Sequence, residues 1–140
     1  QSMWHDQLGV DVKLARQEWK VYLNSMNSLD YDVCRSSWVG DYPDPNTFLD
    51  LFLTGGGNNR TGWSNAGYDA LIADAAREPD EAKRFAILAR AEQMLVVKQA
   101  VICPVYFYVG IQLYDPAKFT GIEPNLIDEH PIRLMRRAGP

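Results

Sequence analysis

Residues 36–48 read SSWVGDYPDPNTF, and this stretch decides how the chain folds on either side of it. Pro43 and Pro45 fix the backbone φ angle and lack an amide donor, so the apolar segment before them must end here. Asp41 lies at this break, close to Trp38. Two interpretations remain open: a loop that binds a cationic amine, or a plain turn in which Asp41 caps an amide and Trp38 belongs to the core.

The segments before this loop alternate between strand and helix patterns. Residues 1–9 resemble the end of a helix that stops at Gly9, and we expect the earlier part of that element to precede Gln1. Residues 10–16 alternate with the period of a half-buried strand, whereas the apolar residues of 19–26 recur three and four positions apart. Residues 31–38 predict another strand, so the order favours an α/β layer with a crossover connection.

The segments after the loop are mainly helical. Residues 46–53 predict a short amphipathic helix, and two longer helices follow, the first capped by Ser64 or Asn65 and the second by Asp80. The first should bury Tyr68, Leu71, Ile72 and Ala75, and the second Phe85, Leu88, Ala91 and Leu95.

The last part of the chain is predicted to be strand and loop. Residues 100–114 are rich in β-branched and aromatic side chains, and residues 130–137 predict a short last strand. Gly110 interrupts the first of these runs. A glycine at such a position marks a bend or a close approach of the backbone, so we expect a structural boundary there.

Composition narrows the class of protein. The chain has 140 residues, enough for one modest domain. Its formal net charge of -4 disfavours a surface that binds the phosphate backbone of nucleic acids. No apolar run approaches the roughly 20 residues that cross a bilayer, so the chain is predicted to be soluble. Cys34 and Cys103 lie in apolar runs and are predicted to be buried free thiols, although a disulfide between them stays open.

Catalytic and metal-binding patterns are weak in this sequence. His5 and His130 lie at opposite ends, no serine has a GxSxG setting, and no three ligands have useful metal-site spacing. The glycine-rich segment 54–62 lacks the GK[ST] ending of a phosphate-binding loop and follows a helix. We therefore predict no enzyme activity, no cofactor and no metal.

Two further observations concern small-molecule chemistry. The carboxylates at positions 41, 44 and 50 invite a hydrolase interpretation, which their spacing within one loop cannot establish. Aromatic side chains interspersed with single charges fit a binding cleft better. These residues are Trp19, Trp38, Trp63, Tyr108, Arg35 and Asp41.

Four stretches together carry a family resemblance. They read QEWKVYLNSM (17–26), YDVCRSSWVGDYPDPNTFLDLF (31–52), GWSNAGYDALIADA (62–75) and AEQMLVVKQAVICPVYFYV (91–109). In this order they resemble the C-terminal portion of the oligopeptide- and dipeptide-binding proteins of bacterial ABC importers, the extracytoplasmic solute-binding proteins of family 5.

The resemblance implies an α/β fold of the type II periplasmic-binding class, with a mixed sheet flanked by helices. Residues 1–109 would belong to the second, ligand-clasping lobe, and residues 110–140 would cross back to the first lobe with Gly110 near the hinge. The implied location is periplasmic, or extracellular and membrane-anchored. The implied partners are a short peptide, the permease subunits of the transporter, and the missing N-terminal part of the chain or a swapped second copy.

The resemblance also implies a binding site. In the family the aspartate that matches Asp41 holds the peptide α-amino group, with Trp38 as its aromatic neighbour. Backbone groups of Ser37 and Val39 would pair with the ligand main chain. Arg35 would meet the peptide carboxylate, and further pocket positions match Trp19, Asn58 and Tyr108. Two alternatives remain open: another solute, such as a nickel chelate or an oligosaccharide, and a sensory domain of a regulator.

Overall fold

The computed structural model describes residues 1–125 and 128–139, so Leu126, Ile127 and Pro140 lie outside it. The chain divides into two compact units, Gln1–Arg35 and Ser36–Pro140. Each unit is described by itself. The predicted boundary between residues 109 and 110 concerns the lobes of a larger protein and stays a prediction.

The first unit contains two helices. Helix α1 spans Ser2–Leu8 and ends at Gly9, whose φ of 65° is left-handed, as the sequence predicted. Helix α2 spans Trp19–Ser28 and begins where the Glu18 side chain accepts a hydrogen bond from the amide of Lys20. Met26 is the one buried residue of this unit, so the unit has little core of its own.

The second unit is built on three helical segments. Helix α3 spans Asn46–Leu49 and continues as a 3₁₀ turn over Asp50–Phe52. Helix α4 spans Ala66–Arg77, and helix α5 spans Glu81–Glu92 and continues as a π-helical turn over Gln93–Lys98. Asn65 and Asp80 cap the two longer helices through side-chain oxygens, which confirms the capping predicted from sequence.

The core of the second unit lies where α4 and α5 face each other and α3 packs against them. Its buried residues recur at helical spacing, as predicted, with one exception: Phe85 is 42% exposed and lies outside the core. The Tyr68 hydroxyl is fully buried and donates a 2.6 Å hydrogen bond to the Leu49 carbonyl, which joins α4 to α3. The buried cluster consists of Leu49, Tyr68, Leu71, Ile72, Ala75, Leu88, Ala91 and Leu95.

One small sheet is present in the part of the chain that the structure describes. Strand β1, Phe119–Thr120, pairs antiparallel with β2, Arg136–Arg137. A short last strand is therefore present, but the prediction of strand over 130–137 is wrong for Ile132–Leu134, which form a 3₁₀ turn. Gly121 follows β1 with a φ of 83°, and a Cβ atom there would overlap the Leu134 carbonyl.

Three segments predicted as strands are not strands of a sheet in the described chain. Residues 10–16, 31–38 and 100–114 lie outside every helix and ladder among the described residues. Residues 105–114 expose large apolar side chains on both faces, with Phe107 94% and Leu113 93% exposed. An apolar run of this kind is typical of a strand covered on both sides, and in the described part of the chain its side chains are exposed.

Other local predictions have mixed outcomes. The backbone at Gly110 lies so close to the Asp128 carboxylate that a Cβ atom would overlap it, which confirms the close approach predicted for this glycine. Both cysteines are free thiols, but Cys34 is half-buried and Cys103 is exposed, so their predicted burial is wrong. Among the described residues, no helix is both long and apolar enough to traverse a membrane.

Candidate functional site

The candidate site lies on the loop that precedes α3. Ser37, Val39 and Asp41 are exposed, and Trp38 is 39% exposed, so the interpretation that places Trp38 in the core is wrong. Within the described chain, residues 36–39 make no backbone-to-backbone hydrogen bond. The loop therefore presents a carboxylate, an indole and unpaired backbone groups together.

A side chain of α3 fixes the backbone of this loop. The amide of Asp41 donates a 3.0 Å hydrogen bond to Oγ1 of Thr47, a side chain that is only 2% exposed. Gly40 permits the close approach, because a Cβ atom there would lie 3.1 Å from Thr47 Cγ2 and 3.2 Å from Phe48 Cζ. The exposed Asp41 carboxylate is therefore carried by an anchored backbone.

An ion pair fixes the far end of the same loop. Two guanidinium nitrogens of Arg84, on α5, donate to the two carboxylate oxygens of Asp44 at 2.6 and 2.9 Å. Both side chains are 25% exposed. The hydrogen bond from Arg84 outweighs partial desolvation and lowers the pKa of Asp44 below its ordinary value.

The three carboxylates of this region do not form a catalytic pair. The charge of Asp44 is neutralised by Arg84. The Asp50 carboxylate accepts hydrogen bonds from the side-chain Nδ2 of Asn46 at 3.2 Å and from the Tyr42 hydroxyl at 3.4 Å. A shallow groove of about 240 Å³ opens between α3 and α5, and Asp41 does not line it. This geometry gives the hydrolase interpretation no support.

Two predicted site residues belong to the first unit. Trp19 is exposed and stacks on Tyr22, with ring centroids 5.3 Å apart. The Tyr22 hydroxyl donates a 2.8 Å hydrogen bond to the carbonyl of Arg35, which orients the backbone at that residue. Their grouping with the loop around Asp41 stays a prediction.

Two further predicted residues lie elsewhere in the second unit. Asn58 is exposed in the glycine-rich segment, and Tyr108 is exposed with its ring centroid 5.2 Å from that of Tyr106. The structure therefore brings Ser37, Trp38, Val39 and Asp41 together on one loop. The pocket that would unite them with Asn58 and Tyr108 stays a prediction.

The glycine-rich segment 54–62 is held in place by hydrogen bonds of one side-chain amide, that of Asn59. Asn59 Nδ2 donates to the carbonyls of Phe52, Leu53 and Trp63 at 2.9 to 3.2 Å. Its Oδ1 accepts from the hydroxyl and the amide of Thr61. The ring of Trp63 packs edge-on against Tyr68, so Trp63 attaches this segment to the hydrophobic core.

Sequence reasoning missed the residues that support the loops. Thr47 and Arg84 were not singled out, and for Arg84 the reason is that its partner Asp44 lies 40 positions away. A local signal existed at Asp44, since an aspartate two residues before a helix start often accepts a backbone amide, here that of Asn46 at 2.8 Å. No group of three or more His, Cys, Asp or Glu side chains able to hold a metal exists among the described residues.

Comparison with known proteins identifies the class. Residues 1–60 match the family model described as bacterial extracellular solute-binding proteins, family 5 Middle. The chain is 46% identical over 115 residues to the dipeptide-binding protein DppE of Bacillus subtilis, covering 82% of this chain and 21% of DppE. It is also 36% identical over 115 residues to YgiS of Escherichia coli, described as a probable deoxycholate-binding periplasmic protein, covering 82% of this chain and 21% of YgiS.

Solved structures agree with the sequence matches. The unliganded open form of the periplasmic murein tripeptide-binding protein MppA superposes with a TM-score of 0.84 at 40% identity, covering 97% of this chain and 26% of MppA. A second structure of MppA, from Escherichia coli, gives a TM-score of 0.79 at 39% identity and covers the same shares of both chains.

These matches confirm the resemblance and the fold class. The chain belongs to the family 5 bacterial extracellular solute-binding proteins, and it has the α/β fold of the part of MppA that it matches. It spans about a fifth of the length of the curated relatives, 21% of DppE, and about a quarter, 26%, of MppA.

Proposed function

We propose that these 140 residues are part of a peptide-binding protein that delivers short peptides to an ABC transporter. The observation that carries the proposal is the exposed Asp41, whose backbone is anchored on the same loop that exposes the indole of Trp38. A fixed carboxylate next to an aromatic ring attracts the ammonium group at the start of a peptide. The names of DppE and MppA, both described as peptide-binding, support this ligand class.

The backbone next to Asp41 supplies the second part of the proposed site. Among the described residues, the amides and carbonyls of 36–39 have no backbone hydrogen-bond partners. The Val39 side chain is exposed and does not pack into the core. An extended peptide pairs with such a segment through its main chain, so recognition would be indifferent to its side chains. Arg35 would meet the peptide carboxylate, and Trp19, Asn58 and Tyr108 would line the pocket.

The remainder of the protein would complete the fold. The apolar run at 105–114 exposes its large side chains in the described chain, as expected of a strand whose faces are covered by other parts of the protein. We assign residues 1–109 to the second lobe and residues 110–140 to a segment that crosses back to the first. The two lobes would close on a peptide, and the closed protein would be recognised by the permease. The protein would be periplasmic, or extracellular and membrane-anchored, and it would have no enzymatic activity.

The test is binding of trialanine and N-acetyl-trialanine to the full-length protein by isothermal titration calorimetry. Acetylation removes the ammonium charge and leaves Asp41 without its partner, so binding should weaken by roughly 2 to 5 kcal/mol. An Asp41→Asn variant should lose the preference for the free amine while it keeps the affinity for the acetylated peptide. Equal affinity of the wild type for both peptides would refute the role of Asp41.

A second candidate is a non-peptide solute bound on the same scaffold. The similarity to YgiS, described as a probable deoxycholate-binding protein, favours this alternative. Deoxycholate is an anion without an amine, so Asp41 would repel it. Saturable binding of deoxycholate by the full-length protein, together with no heat from trialanine, would replace the peptide proposal with this one.

A further inference from the structure

The backbone amide of Asp41 is hydrogen-bonded to one buried hydroxyl. Thr47 lies on α3, 2% exposed, and its Oγ1 accepts the amide hydrogen of Asp41 at 3.0 Å. A hydroxyl that is buried needs a hydrogen-bond partner, since leaving it unpaired is costly. The bond joins a residue of the core to the exposed residue that would hold the ligand.

The position of Thr47 is fixed in turn by Asp44. The carbonyl of Asp44 accepts the amide of Thr47 at 3.2 Å, and its carboxylate accepts the amide of Asn46 at 2.8 Å. The same carboxylate is held by Arg84 of α5 through two hydrogen bonds. A continuous series of contacts therefore runs from α5 through the start of α3 to the backbone of Asp41.

We propose that Thr47 is a positioning residue for ammonium recognition, acting through the backbone amide of Asp41. The inference rests on the proposed function of Asp41. An ion pair with a ligand is strong only when the carboxylate is held in one place before binding, because ordering a mobile loop offsets part of the interaction. The Thr47 hydroxyl supplies this order without contacting the ligand.

The chain offers a matched pair of substitutions at this position. Thr47→Val has nearly the same shape but removes the acceptor, whereas Thr47→Ser keeps the hydroxyl and removes one methyl group. In the full-length protein, calorimetry would give the affinity ratio of each variant for trialanine over N-acetyl-trialanine. Thr47→Val should reduce the ratio by roughly 5-fold or more, as loss of one hydrogen bond implies, with the affinity for the acetylated peptide unchanged. Thr47→Ser should keep the wild-type ratio.

The outcomes separate the two proposals. A wild-type ratio near one refutes the function of Asp41 itself. A normal wild-type ratio that Thr47→Val preserves refutes the role of Thr47 alone. Equal weakening of both peptides by Thr47→Val shows a structural role only and also overturns the inference.

Two further measurements keep the inference testable if Thr47→Val folds poorly by circular dichroism. Thr47→Ala, which cannot overfill the site, should then give the same reduced ratio. Hydrogen–deuterium exchange should show faster exchange at the Asp41 amide in Thr47→Ala than in Thr47→Ser. Equal rates in these two variants would overturn the inference.

Discussion

The Asp44–Arg84 ion pair gives the most quantitative prediction, because its strength can be compared with that of a surface pair in the same chain. Asp44→Asn keeps the acceptor for the Asn46 amide but loses the charge and one of the two guanidinium hydrogen bonds. Hydrogen bonds to charged groups contribute about 1.5 to 3 kcal/mol when buried, and exposed pairs about 0 to 1 kcal/mol. For side chains that are 25% exposed, we expect a loss of about 1 to 2 kcal/mol in the free energy of local opening.

The assay is hydrogen–deuterium exchange of the amides in residues 41–49 of the full-length protein. A loss of about 1 to 2 kcal/mol corresponds to roughly 5- to 30-fold faster exchange at these amides. Asp74→Asn is the matched control, because the Arg77–Asp74 pair has the same chemistry but its side chains are 71% and 57% exposed. That substitution should change exchange in its own helix by less than about 2-fold, since exposed pairs contribute little.

The same pair predicts a dependence on pH. The pKa of Asp44 is lowered in the folded protein from an ordinary value of 3.8, so the pair stabilises the loop fully above pH 3.8. This stabilisation is lost as the pH falls further, through the folded-state pKa. The difference between wild type and Asp44→Asn should therefore shrink in that acidic range. A difference that is the same size for both pairs, or that does not shrink in acid, would refute the reasoning.

Three further predictions concern packing. Tyr68→Phe removes the buried hydrogen bond to the Leu49 carbonyl and should lower the free energy of urea unfolding by roughly 0.5 to 1.5 kcal/mol, whereas an unchanged free energy would contradict that hydrogen bond. Asn59→Ala removes the hydrogen bonds that brace residues 52–63 and should make this segment the first site of limited proteolysis, with wild-type cleavage as the comparison. The isolated 140-residue chain should self-associate and bind the dye ANS through residues 105–114; a monomer that does not bind the dye would show that this run is covered.

The helical part of the fold was readable from sequence because its determinants are local. Asn65 and Asp80 cap α4 and α5 from positions immediately before each helix, and Gly9 ends α1 by adopting a conformation that costs glycine little. The apolar spacing of α4 identified its buried face correctly. Phe85 was misplaced, since its position near the start of α5 leaves its ring without a covering element.

The strands could not be read in the same way, because a strand exists only when a second segment supplies the other half of its hydrogen bonds. Residues 10–16, 31–38 and 100–114 have strand patterns, yet in the part of the chain that the structure describes none of them forms a ladder of a sheet. Their patterns predicted strands, but a pattern does not identify the segment that would pair with each of them.

The sequence by itself predicted the helices, their caps and the loop at 36–48 that contains Asp41. Only the tertiary structure decided what holds that acid in place: the Thr47 hydroxyl beneath its amide and the contact between Asp44 and Arg84 across 40 residues. The physical reason is that caps and turns are bonds between near neighbours in the chain. The order of a loop is set instead by side chains that become neighbours only when helices pack.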